Sequence, residues 1–316
     1  MPEMDDPNPS GHGTDNKPVI PATTDIPSPQ PTKTPMFQAI HADRYQRQAL
    51  IRKIEEVHRT ALICFVSGNR ASIDRDDTVF FVDLLHNVQR GQDLDLMLHT
   101  GGGDIDAAEK LITLVHTWVG TARLRVIVPD YAKSAGTLMS LGADSIVMSD
   151  TSELGPIDPQ VILRDANGNA IPHSVQNHLD AYEALVETLK ANPEDSAARV
   201  LLTKFDPATV KLLEAVRERA RKFAETQLQT GMFRSKVGNF TAIAQNLLDT
   251  TRWSTHGQMI GWQAASEMGL TVDYCEPTSE RWQAYWQLYC LQRLAVKDRA
   301  KLYESNYASL CAEGSS

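Results

Sequence analysis

Two segments of this 316-residue chain hold residue types and spacings suited to acyl-transfer chemistry. In LMLHTGGGDIDAAEKL an apolar run ends in Gly101, Gly102 and Gly103, and a helical stretch opens at Asp104. Glycines at such a bend let the backbone turn sharply and bring its N–H groups close to a ligand, because no Cβ intervenes. Donors placed there suit a carbonyl oxygen on its way to becoming an oxyanion. A glycine-rich bend can equally cradle a phosphate or be a plain tight turn. Two nucleotide motifs are excluded: no GK[ST] follows, and Gly103-Asp104-Ile105-Asp106 breaks the GxGxxG spacing.

The second segment is VIVPDYAKSAGTLMSLGADSIVM, where an apolar run leads through a short loop to Ser134 at a helix start. An isolated serine in that position is most often an N-cap. Here Ala132, Ala135 and Gly136 surround the hydroxyl and leave room for a substrate backbone. The N–H that follows Ser134 lies at the helix entrance, where developing negative charge is stabilised.

These residues need a frame. ALICFV (61–66), LDLMLHT (94–100), RLRVIV (123–128) and DSIVM (144–148) read as buried strands. Helical stretches at 76–89, 104–119 and from Ser134 onward alternate with them. That alternation predicts an α/β fold of repeated βαβ units with a mostly parallel sheet. In VILRDANGNAIPH a DANGN turn between extended runs predicts a hairpin. A helix is expected over 36–58, and the rest reads as helical over 175–191, 194–203, 207–230, 236–248, 258–268 and 280–310. Trp282, Tyr285, Trp286 and Tyr289 form an aromatic stripe whose first reading is core packing. Residues 1–35 hold nine of the sixteen prolines and few large apolar groups, so they read as a disordered tail.

Composition narrows the function classes. Hydrophobic residues at 42% and charged residues at 22% are ordinary for a globular domain. A formal charge of -9 argues against a nucleic-acid partner. The basic run Lys211, Arg217, Arg219, Arg221 and Lys222 alternates with Glu214, Glu218 and Glu225, and reads as a solvated, ion-paired face. Cys64, Cys275, Cys290 and Cys311 lie far apart, without the pairing of a zinc site or a disulfide framework. No metal or cofactor is expected. No run approaches the length of a membrane span, and the first residues lack the pattern of a secretion signal. Cytoplasmic residence is the expectation.

Taken in order, His99-Thr100-Gly101-Gly102-Gly103 and Ala132-Lys133-Ser134-Ala135-Gly136 resemble the oxyanion turn and nucleophile segment of signal peptide peptidase A and the Clp proteolytic subunit. The phrase ELGPIDPQ (153–160) looks like the serine dehydrogenase proteinase family in particular, and 253–274 resembles the closing segment of these enzymes. The resemblance covers roughly 60–275. It implies the Clp-protease/crotonase fold, with a peptidase domain over 36–275 and a C-terminal helix over 276–316. By it, Ser134 attacks a peptide carbonyl, and the N–H of Ala135 with that of Gly102 or Gly103 forms the oxyanion hole. The substrate would be a peptide or unfolded protein segment, and the assembly a homo-oligomer. Part of the aromatic stripe would then be free to cover a subunit contact.

A serine hydroxyl needs an adjacent base. The Clp subunit supplies a histidine soon after the next strand, but SELGPIDP contains none. Signal peptide peptidases use a lysine from a later segment, which here points to Lys204, with Lys190 as the other candidate. Lys133 adjoins Ser134, and neighbouring side chains point apart, so it suits a positioning or surface role. His173, His178 and His256 are further possible bases, although a lone histidine is more often a satisfied surface residue. Asp158 suits the orienting of a base or a substrate amide, or a turn before Pro159. The missing base at the expected place keeps a catalytically inactive scaffold in view. A crotonase-like acyl-CoA enzyme fits less well, because no basic cluster suits a CoA phosphate.

Overall fold

The computed structural model describes residues 33–164 and 170–313. Most of the proline-rich stretch, the DANGN turn and the last three residues lie outside the described residues. Met1–Ile40 and His41–Ser316 are two compact units. The first contains helix α1 (Pro35–Ile40).

The second unit runs α2 (Ala42–His58), β1 (Ala61–Ser67), α3 (Asp77–Leu85), β2 (Leu94–His99), α4 (Ile105–Val119), β3 (Leu124–Ile127), β4 (Tyr131–Ala132), α5 (Ala135–Leu141), β5 (Ser145–Met148) and β6 (Glu153–Leu154). It continues through β7 (Gln160–Arg164), β8 (Ala170–Ser174), α6 (Val175–Ala191), α7 (Ser196–Leu202), α8 (Pro207–Thr230), α9 (Phe240–Leu248), α10 (Trp262–Glu267), β9 (Val272–Tyr274), α11 (Glu280–Ala295), β10 (Ala300–Glu304) and β11 (Ser309–Glu313).

The four apolar runs read as strands become β1, β2, β3 and β5 of a seven-stranded sheet in the order β11-β10-β1-β2-β3-β5-β9. From β1 to β9 every pairing is parallel, and β10 alone runs the other way, pairing antiparallel with β1 on one side and β11 on the other. Strands covered on both faces must be apolar at successive positions, which is why these runs show no alternation. The two faces nevertheless separate cleanly. Ile63, Phe65, Leu96, Leu98, Val126 and Ile146 pack on one side with α3, α4, α5, α8 and α9. Leu62, Cys64, Val66, Met97, Ile127 and Val147 pack on the other with α2 and α11. Trp282, Tyr285 and Tyr289 of the aromatic stripe lie buried in this second core. No described helix is long and apolar enough to cross a membrane.

The expected helix over 280–310 ends at Ala295, and the chain returns as β10 and β11. Lys301 and Glu304 fall inside that expected helix. In the fold both are buried on β10, with Lys301 bonded to Asp74 and Asp77 and Glu304 to Arg47. α9 and α10 are also shorter than the stretches read for them, α9 starting where the Asn239 side chain accepts the Ala242 N–H.

His99, the last residue of β2, is fully buried between Tyr131 and Tyr289. Its Nδ1 lies 3.2 Å from the Tyr289 hydroxyl, and its Nε2 has no partner among the described residues. Burial, with a contribution from Arg293, holds this imidazole down to about 3. The Asp130 carboxylate lies 3.8 Å from Nδ1, and its Oδ2 accepts the Tyr289 hydroxyl at 2.6 Å. The folded value lies below the ordinary 6.5, so between the two the unfolded chain binds a proton that the folded chain does not. This contribution is therefore complete above pH 6.5 and erodes as pH falls toward 3, at up to about 1.4 kcal/mol per pH unit. Urea unfolding of wild type and His99→Gln across pH 7 to 4 should give the variant the flatter profile; parallel profiles would refute the assignment.

Candidate active site

Strand β2 ends at the glycine bend, and β3 leads through β4 to Ser134. Backbone pairing sets the two side by side: the Thr100 N–H donates to Tyr131 O, and the Lys133 N–H donates to Thr100 O, both at 3.0 Å. Gly102 has φ +109 and is the point of closest approach, since a Cβ there would lie 2.9 Å from the Ser134 Cβ. Gly103 has φ +150, and a Cβ there would meet the Ile73 carbonyl oxygen at 2.3 Å. Ile73 pins the bend from below: its N–H donates to Gly102 O at 2.8 Å, and its O accepts the Asp104 N–H at 2.9 Å. Both positions therefore require glycine, for conformation and for space.

Ser134 adopts φ 49 and ψ −114, a strained backbone for a residue with a Cβ. It is half-buried and makes no capping bond to the helix it precedes, so the N-cap reading does not describe its side chain. The strain is held in place nearby: the Thr137 hydroxyl donates to Ala132 O at 2.7 Å and accepts the Gly155 N–H at 3.0 Å.

Ser134 opens on a cavity of about 650 Å³ that is also lined by Gly103, Ala135 and His256. Its apolar wall includes Ile105, Leu138, Ile157, Pro159 and Val216. The Gly102 N–H is already bonded to Thr100 Oγ1 at 3.1 Å. The N–H groups of Gly103 and Ala135 find no acceptor among the described residues.

Asp158 and His256, read separately from the sequence, form a pair. His256 Nδ1 lies 2.7 Å from Asp158 Oδ1. Asp158 is 3% exposed, and its Oδ2 accepts the Gln160 side-chain amide at 2.7 Å. With Nδ1 held by the carboxylate, Nε2 is the ring nitrogen left for the cavity.

The other candidate bases are not brought to Ser134. His173 and His178 line a neighbouring cavity of about 420 Å³, which adjoins the first at His256 and Gln160. Lys190 is exposed on α6 and bonded to Glu187. Lys204, the residue expected as the base, is exposed in the turn between α7 and α8 and does not line the Ser134 cavity. The Lys133 ammonium turns away from Ser134 and is bonded to Glu153. Arg219, read as part of a solvated face, leaves that pattern: it reaches Asp106 and Glu109 of α4 and borders the Ser134 cavity. Among the described residues no group of three or more His, Cys, Asp or Glu side chains is arranged to hold a metal ion.

Residues 35–234 match the family model described as ClpP-like SDH-type serine proteinase. Among curated proteins, the chain is similar to two uncharacterized proteins of Methanocaldococcus jannaschii. MJ0137 is 29% identical over 204 residues, 63% of this chain and 59% of that protein. MJ1495 is 31% identical over 117 residues, 37% of this chain and 39% of that protein. The aligned part of this chain thus spans less than two thirds of either relative's length. Among solved structures, a mutant of the 1510-N membrane-bound stomatin-specific protease aligns with TM-score 0.40 and 13% identity over 68% of this chain and 80% of that one.

Proposed function

We propose that this chain, which belongs to the ClpP-like SDH-type serine proteinase family, hydrolyses peptide bonds with Ser134 as nucleophile, His256 as base and Asp158 as the group that orients His256. The observation carrying this reading is the 2.7 Å contact between His256 Nδ1 and Asp158, on a histidine that lines one cavity with Ser134. A buried carboxylate on Nδ1 fixes the ring orientation and stabilises the imidazolium that forms.

In the first step Ser134 Oγ bonds to the scissile carbonyl carbon and its proton passes to His256 Nε2. The carbonyl oxygen becomes an oxyanion, met by the unengaged N–H groups of Gly103 and Ala135. Collapse breaks the C–N bond, and His256 returns the proton to the leaving amine. Water, deprotonated by the same imidazole, then cleaves the ester and restores Ser134. The apolar wall beside Ser134 and the polar cavity beyond His256 suit an extended peptide better than a compact ligand. A homo-oligomer remains part of this reading through the family.

A phosphonylating serine probe tests the nucleophile. Wild type should take one label per chain, and Ser134→Ala, confirmed folded by circular dichroism, should take none. A folded wild-type protein that resists the probe would remove the reading.

A further inference from the structure

Lys133 stands next to the nucleophile, yet its side chain serves another part of the site. The ammonium is bonded to the Glu153 carboxylate on β6 and to the carbonyl oxygens of Leu154 at 3.2 Å, Gly257 at 3.4 Å and Gln258 at 3.3 Å. Three N–H donors thus meet four acceptors, and two of these belong to the residues directly after His256. The side chain is 14% exposed, and its stem packs so closely on Gly155 that a Cβ there would meet Lys133 Cδ at 2.7 Å.

The segment that carries His256 is anchored at its two ends by Trp253 and Ile260, both buried in the main core, and the Trp253 indole N–H donates to Asn246 O at 2.6 Å. The stretch between them, which holds His256, has fewer restraints. Between α9 and α10 it contains neither helix nor extended strand. The Gln258 side chain accepts the Ser254 N–H at 2.8 Å, the Gln258 N–H donates to Thr255 O at 3.0 Å, and Ile260 bridges to Leu154. The first two are internal to the segment. Its ties to the elements around Ser134 are the Asp158 contact, the Leu154 bridge and the Lys133 ammonium.

We propose that Lys133 is a positioning residue that ties the His256 segment to the turn carrying Ser134, so that base and nucleophile keep a fixed separation. The inference rests on the peptidase reading above. Covalent chemistry at Ser134 is sensitive to this separation, since a misplacement of ~1 Å can cost on the order of a hundredfold in rate. Arginine, with more donors on a stem of similar length, can reach the same carboxylate and carbonyls; methionine fills the volume and reaches none.

The test compares wild type, Lys133→Met and Lys133→Arg by two measurements. One is the rate and half-saturation of acylation by a phosphonylating probe. The other is amide hydrogen exchange over residues 254–260. In Lys133→Met, acylation should slow by about 10- to 100-fold with half-saturation within about twofold, because the probe's contacts are intact while the base is misplaced. Exchange over 254–260 should quicken, and Lys133→Arg should recover part of both. If Lys133→Met does not fold, Glu153→Gln, which removes the ammonium's ion-pair partner and so loosens its hold on the Gly257 and Gln258 carbonyls, takes its place, with effects in the same direction. Unchanged exchange in the folded variant, or an acylation rate within twofold of wild type, overturns the proposal. A wild type that takes no label sinks the peptidase reading, and the exchange measurement then decides the tie by itself.

Discussion

His256→Ala is expected to lower the peptidase turnover number by about 10²- to 10⁴-fold, the range that a positioned general base contributes. The fold should persist, since the side chain borders a cavity and is 29% exposed rather than core. KM should change little, because in the proposed mechanism the imidazole moves a proton and does not hold the substrate. Asp158→Asn should also be severe for its size: an amide can donate to Nδ1, which pushes the ring toward the tautomer that cannot accept from Ser134. Lys204→Ala and Lys190→Ala should stay within about twofold of wild type, as exposed side chains away from the cavity. Steady-state hydrolysis of an unfolded protein substrate by the four variants separates the possibilities. Near-normal turnover in His256→Ala with loss in Lys204→Ala would restore the lysine as base and discard the histidine.

That comparison also marks where the site stops being legible in the sequence. The glycine bend and the Ser134 turn are contiguous motifs, each with its chemistry inside a few residues. The strands that bring them together are equally readable, because ALICFV or LDLMLH must be apolar throughout to lie in a sheet covered on both faces. The pairing of Asp158 with His256 has no local signature. The two are 98 residues apart, and they meet because the 249–261 segment folds back onto β6, where Ile260 bridges Leu154. A histidine after Ser254 and Thr255 looks like any residue near a helix start. Lys204 stands in the later segment to which the resemblance points, just before α8, but the packing leaves it outside the cavity. Ile73 contributes to the site through its backbone alone, and no side-chain pattern announces such a role.

The same limit applies to Lys301, whose removal should have the largest effect on stability. Lys301 is 2% exposed and its ammonium bonds to Ser72 O at 3.0 Å, Asp74 Oδ2 at 2.7 Å and Asp77 Oδ1 at 2.5 Å. The Tyr303 hydroxyl donates to the same Asp77 oxygen, and the other Asp77 oxygen accepts the Asp74 N–H. Lys301→Met would leave the fully buried Asp77 carboxylate without its counter-charge, a change that costs about 3–5 kcal/mol in comparable buried pairs. Burial already pushes the Asp77 carboxyl above its ordinary range, with Lys301 as the main opposing influence. Without the lysine that value rises further, so the folded variant takes up a proton that the unfolded chain does not hold, and the stability deficit should narrow as pH falls from 8 to 5. Lys301→Met combined with Asp77→Asn should recover much of the loss, since no fully buried charge remains and the Asp74 carboxylate keeps part of its exposure. Urea unfolding at several pH values reads all three expectations, and a single-variant deficit below about 1 kcal/mol would show that the pair is not fully desolvated. The consequence extends to chemistry, because Ser72 and Asp74 flank Ile73, whose backbone holds Gly102 and places Gly103 against the Ser134 cavity. Folded Lys301→Met should therefore acylate more slowly than its stability alone accounts for. The last strands of the chain thereby support the glycine bend from the opposite end of the sequence.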